Sequence, residues 1–138
     1  MRTKTLYDIS NSMLVPVLLG LALIVFWRGH QLPGGGFIAG LIASSAFVLK
    51  GDFQESAQFS ITNLIYKHGL SIGLGIVLFS GLLGLMNSQA MLQGLWLPEY
   101  SLLGLKVHLG TPLLFDFGIF ITVTTFCVQT VQYYRELE

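Results

Sequence analysis

Of 138 residues, 53% are hydrophobic and only 10% are charged, well below the roughly 25% charged residues of soluble globular domains. Seven basic residues balance seven acidic ones, which gives no footing to a nucleic-acid or polyanion partner. With a mean hydropathy of +0.71, the chain falls in the membrane class, and its expected fold is all-α and polytopic, with about four transmembrane helices.

In chain order, no formally charged residue occurs from Ile9 to Trp27, a length that matches the roughly 20 residues needed to cross about 30 Å of hydrocarbon. Arg2 and Lys4 before this run resemble a secretory signal, but no small-residue cleavage site follows, so a retained first helix is expected. The linker from Arg28 to Gly34 is too short to hold a domain. A second span over 35–49 must therefore return antiparallel and form a helical hairpin with the first. That span is short unless it starts inside GHQLPGGG, which would put irregular backbone at membrane depth, where protein must cover it.

Residues 50–67 carry Asp52, Gln54, Glu55 and Gln58 and read as a loop with a short interfacial helix near its end. A third span is expected over 69–86. Residues 87–110 are apolar but broken by Gly94, Pro98, Gly104 and Gly110, and Trp96 and Tyr100 suit a membrane interface, so this stretch reads as a surface-lying loop. A fourth span over 111–131 opens on Pro112, where a missing N–H costs nothing, and closes on Tyr133, Tyr134 and Arg135. The four spans make one membrane domain over 1–138. Arg2, Lys4, Lys50, Lys67 and Arg135 would lie on one side and Arg28 and Lys106 on the other, which places both termini in the cytoplasm.

Asp116 is the only formal charge in the fourth span, about one turn from its start, where an ionised carboxylate costs on the order of 2.5–3.5 kcal/mol on insertion scales. It needs a partner, a proton or water: either it belongs to an ion path or an intersubunit pair, or it is a first-turn acid stabilised by its own helix N-terminus. The linker between spans one and two falls on the same membrane face, so His30 is a candidate neighbour able to exchange protons, with Lys106 and His108 as further partners; an interfacial histidine held by backbone carbonyls is the plainer reading of His30. His68, beside Lys67, reads as a helix-end anchor on the opposite face.

Pro33, Gly34, Gly35 and Gly36, followed by Phe37, do not form a phosphate loop, because no strand precedes them and the Walker lysine is missing. Their physics is that of the backbone: glycines permit positive φ and close approach. Gly36, Gly40 and Ser44 share one face of the second span, and Gly69 and Gly73 repeat the spacing in the third. Cys127, the single cysteine, lies in an apolar run and reads as packing. No HExxH, paired hydrolytic carboxylates or nucleophile–base pair occurs, so neither an enzyme nor a metal site nor a cofactor is expected.

At GHQLPGGGFIAGL (Gly29 to Leu41) and GTPLLFDFGIF (Gly110 to Phe120) the chain resembles the MnhB/MrpB family, the B-type subunits of the Mrp-type Na+/H+ antiporters, over nearly its whole length. The resemblance implies membership of a hetero-oligomeric cation/proton antiporter in a prokaryotic inner membrane. Its partners would be the other antiporter subunits and membrane lipid, with Na+ and H+ as the transported ions, and its part would be assembly or the lining of an ion path. By the same resemblance Gly29, His30, Pro33, Gly34, Gly35, Gly36, Phe37 and Asp116 are the positions of interest, with Gly40 and Pro112 in the packing motifs. Related subunits of membrane-bound hydrogenases, and a stand-alone small transporter using Asp116 to bind its substrate, are the alternatives.

Overall fold

The computed structural model describes residues 10–29, 35–50, 61–86, 90, 92–96, 100–102, 105–107 and 110–137. Four α-helices dominate: α1 (Val15–Arg28), α2 (Gly35–Lys50), α3 (Ile61–Met86) and α4 (Thr111–Glu136), with a short antiparallel hairpin of β1 (Tyr100–Leu102) and β2 (Leu105–Val107) between α3 and α4. The chain is an all-α polytopic membrane protein. α3 and α4 are each 26 residues long, about 39 Å at 1.5 Å per residue. α1 and α2 have 14 and 16 residues, and α1 is lengthened by a π-helical turn over Ser10–Leu14. Pro16 follows that turn and has no N–H to give to the carbonyl of Ser12, so one bond of an α-register ladder is missing there.

Two boundaries differ from the sequence expectation. α3 starts at Ile61, because Ile61–His68 contains neither glycine nor proline to break the helix. His68 is consequently an exposed residue two turns inside α3 rather than at its end. The stretch expected as a plain loop instead folds back on itself: β1 pairs with β2, and Trp96 forms an isolated bridge with Gly110. Residues 51–60 lie outside the described residues, as do His30, Pro33, Gly34 and His108.

The helices pack as a row in the order α1, α2, α4, α3: α4 is held between α2 and α3, and α1 lies on α2. α4 can serve two neighbours because it carries two stripes at heptad spacing. Asp116, Phe120 and Val123 meet α2, while Gly118, Thr122 and Thr125 meet α3. In the second seam a Cβ on Gly73 would collide with Thr122 Oγ1 and stand 2.8 Å from Gly118 O, and one on Gly69 would collide with Thr125 Oγ1. The hydroxyl of Thr122 donates to Gly118 O at 2.8 Å. That of Thr125 is buried with no hydrogen-bond partner.

Such seams leave few large side chains to bury. The buried apolar residues are Val15, Ala22, Ala39, Ala43, Ala46 and Val128, and no large side chain is fully buried among the described residues. Across α2 and α4, Thr124 donates to Gly40 O at 3.3 Å and Arg135 Nη2 donates to Val48 O at 3.3 Å. Phe26 of α1 reaches over to α4, edge-on to Phe117 and Phe120 with ring centroids at 6.2 and 5.4 Å.

Substituting Gly73 by alanine should lower the midpoint of thermal unfolding in detergent, since overpacking a filled contact costs about 1–3 kcal/mol. Gly75→Ala, whose Cβ would meet nothing within 4 Å, should leave the midpoint unchanged or raise it, a helical Gly→Ala change being worth up to about 1 kcal/mol. Equal losses in the two variants would show that the α3–α4 seam is not the point of closest approach.

Candidate functional site

The site forms where α2 begins beside the second turn of α4. Gly35, the first residue of α2, has φ +34°, a conformation that side-chain-bearing residues rarely adopt. A Cβ there would stand 2.6 Å from Asp116 Oδ2. On Gly36 it would run into the Asp116 carbonyl oxygen, and on Gly40 it would come within 3.1 Å of Phe120 O. A Cβ on Gly29, which follows α1, would collide with the Gly35 α-carbon. Four residues thus form one junction: the ends of α1 and α2 touch through bare backbone, and Asp116 sits against both the first glycine of α2 and the second.

The electrostatics follow from that placement. The first four N–H groups of a helix have no partner inside it, and the N-terminus carries partial positive charge. A carboxylate seated there gains about 0.3–1 kcal/mol, up to ~2 kcal/mol in partly buried sites. That offsets part of the roughly 2.5–3.5 kcal/mol cost of a charge in a membrane helix. The acid belongs to α4 and lies against the N-terminus of α2.

Asp116 also lines a pocket of about 350 Å³, together with Gly29, Ser80, Gly94, Thr111 and Phe115. Ser80 donates its hydroxyl to Val77 O at 2.8 Å, and Thr111 Oγ1 accepts from the Leu95 N–H at 3.0 Å. Among the described residues that line the pocket, Asp116 supplies the charge. A single carboxylate in a cavity of this size suits water and a monovalent cation. Among the described residues no three His, Cys, Asp or Glu side chains converge.

Among the other candidates, Gly40 is buried at the α2–α4 contact and Pro112 lines the pocket in the first turn of α4. Phe37 is 56% exposed, pointing away from the junction. Lys106 falls in β2, paired with Ser101. His30, Pro33, Gly34 and His108 are outside the described residues, although Gly29 and Gly35, which bracket residues 30–34, both touch the junction.

The far wall of the pocket was missed by sequence reasoning. Leu92, Gly94 and Trp96 fold back onto the C-terminal end of α3, fixed by two hydrogen bonds at 3.0 Å between Leu95 and Thr111. The signal was available in α3: beyond Gly69 and Gly73, the small residues Ser80, Gly81 and Gly84 continue the stripe. A Cβ on Gly81 would be 3.0 Å from Leu92 Cδ2, and one on Gly84 would be 2.7 Å from Ala90 O.

A family model described as a domain related to the MnhB subunit of Na+/H+ antiporter matches residues 7–129. The chain belongs to the MnhB family. This MnhB chain is 34% identical over 121 residues to the mnhB2 protein of Staphylococcus haemolyticus, covering 82% of this chain and 81% of the relative. To a Na(+)/H(+) antiporter subunit of Alkalihalophilus pseudofirmus it is 32% identical over 114 residues, covering 78% and 75%. Its fold matches a chain of the Mrp complex from Dietzia sp. DQ12-45-1b with a TM-score of 0.71, at 26% identity, over 94% of this MnhB chain. The match occupies only 14% of that much longer chain.

Replacing Gly36 by valine should prevent α2 from seating on Asp116, seen as loss of the folded chain from a mild-detergent extract. Gly20→Val, in α1 where a Cβ meets nothing within 4 Å, should extract normally. Normal extraction of Gly36→Val would argue against the backbone junction.

Proposed function

We propose that this chain is the B-type component of a multi-subunit Na+/H+ antiporter in the bacterial cell membrane, and that the Asp116 pocket contributes to the path of the ion. The observation that carries the second part is that one junction both holds the carboxylate, through the N-terminus of α2, and leaves it on the wall of a pocket of about 350 Å³. An acid needed only for assembly has no use for a cavity beside it. The names of the Na(+)/H(+) antiporter relatives favour an antiporter over a hydrogenase scaffold. A catalytic role is not part of the proposal.

On this reading the apolar parts of the four helices, about 9–27, 35–49, 69–86 and 111–131, are the crossings of one membrane domain. Lys50 and Arg135 end α2 and α4 at one side and Arg28 ends α1 at the other, in keeping with cytoplasmic termini under the positive-inside bias. The other antiporter subunits and lipid then cover the remaining helix surface, and His30, Lys106 and His108 stay candidates for the ion path or for assembly.

Two substitutions made in the whole complex test the role of the carboxylate. Asp116→Asn should keep the complex assembled while lowering Na+-dependent antiport in everted vesicles by about tenfold or more, one decade corresponding to ~1.4 kcal/mol. Asp116→Ala should lower antiport at least as far. If both variants transport normally the ion-path reading is wrong, and if both lose their partner subunits on purification Asp116 is an assembly contact.

A further inference from the structure

On the side of α4 away from Asp116 lies a second, larger concavity of about 970 Å³, at the upper end of the roughly 300–1,000 Å³ range of small-molecule sites. Its floor is Leu113, Leu114 and Phe117 of α4, a run at helical i, i+1, i+4 spacing; α1 contributes Phe26 and Trp27 to one wall, and α3 contributes Leu83 and Met86 to the other. The lining is apolar apart from Thr111, whose hydroxyl and N–H are both engaged with Leu95. The indole N–H groups of Trp27 and Trp96 are the other polar side-chain groups of the lining.

We propose that this groove holds one phospholipid of the surrounding bilayer, with an acyl chain along Leu114 and Phe117 and its phosphate at Arg28. Three observations favour a lipid over a helix of another protein. First, Leu95 and Trp96 line the groove at the start of α4, held there by the Trp96–Gly110 bridge. A transmembrane helix about 10–12 Å across would have to pass them to reach the aqueous surface, whereas an acyl chain ends within the leaflet. Second, Trp27 and Trp96, 65% and 58% exposed, stand at the mouth where α1 and α3 end and α4 begins, and tryptophan partitions to the headgroup level. Third, Arg28, exposed and the last residue of α1, follows Trp27 directly, so a guanidinium suited to phosphate sits at that level. The inference rests on the membrane fold and not on antiport.

The test uses the whole complex reconstituted with a trace of phosphatidylglycerol carrying a diazirine on its acyl chain. After illumination, adducts are mapped by mass spectrometry. Labelling of Leu83, Met86, Leu114 and Phe117 should exceed several-fold that of Leu23 and Phe79, which lie outside the groove and are 65% and 56% exposed. Leu114→Trp should abolish the excess by filling the floor; should that variant fail to assemble, Met86→Trp narrows the groove from a side chain that is 79% exposed. Arg28→Gln should cut the labelling by the phosphatidylglycerol probe several-fold. Uniform labelling of all exposed apolar residues would overturn the proposal, as would adducts indifferent to these substitutions or protection of the groove by a neighbouring protein of the complex. None of these readouts depends on transport.

Discussion

Everything else in this fold depends on α4 meeting two helices through bare backbone. In water, apolar side chains drive helices together, but lipid is as apolar as leucine, so close van der Waals contact and interhelical polar contacts must do the work. Gly36 and Gly40 let α2 approach the carbonyls of Asp116 and Phe120, and Gly69 and Gly73 let α3 approach Thr125 and Gly118. The small buried set, alanines and valines with no large side chain, is the direct result. Leucine and phenylalanine are left on the outer surfaces, where hydrocarbon or other subunits accept them.

The α2–α4 pair adds an electrostatic match at both ends. Asp116 lies at the N-terminus of α2, and Arg135 donates to Val48 O near its C-terminus. An acid at the first and a base at the second each complement the helix macrodipole. Both come from one helix running antiparallel to α2, and 19 residues of α-helix, about 28 Å, separate them. The register of α4 on α2 is thereby specified at both ends as well as along the glycine face.

Four apolar helices were legible because charge is absent over long runs and returns at their ends, as at Arg28, Lys50 and Arg135. The start of α3 was not, because polar Thr62, Asn63 and Lys67 form helix as readily as loop when no glycine or proline intervenes. Nor was the fold-back at residues 92–96: Leu92 takes a positive φ of 65°, which a leucine in sequence does not announce. Asp116 stood out as the one charge of its span, yet periodicity within α4 cannot show which helix end would receive it. That depends on the pairing of α2 with α4, a contact between residues about 80 apart in sequence.

The same junction explains how a carboxylate can be tolerated in a membrane helix: a helix N-terminus carries partial positive charge, about +0.5, and Asp116 lies against the first two residues of α2, which removes part of the cost of placing the acid there. Because Gly35 and Gly36 contact Asp116 without an intervening side chain, any change in its charge acts directly on the start of α2.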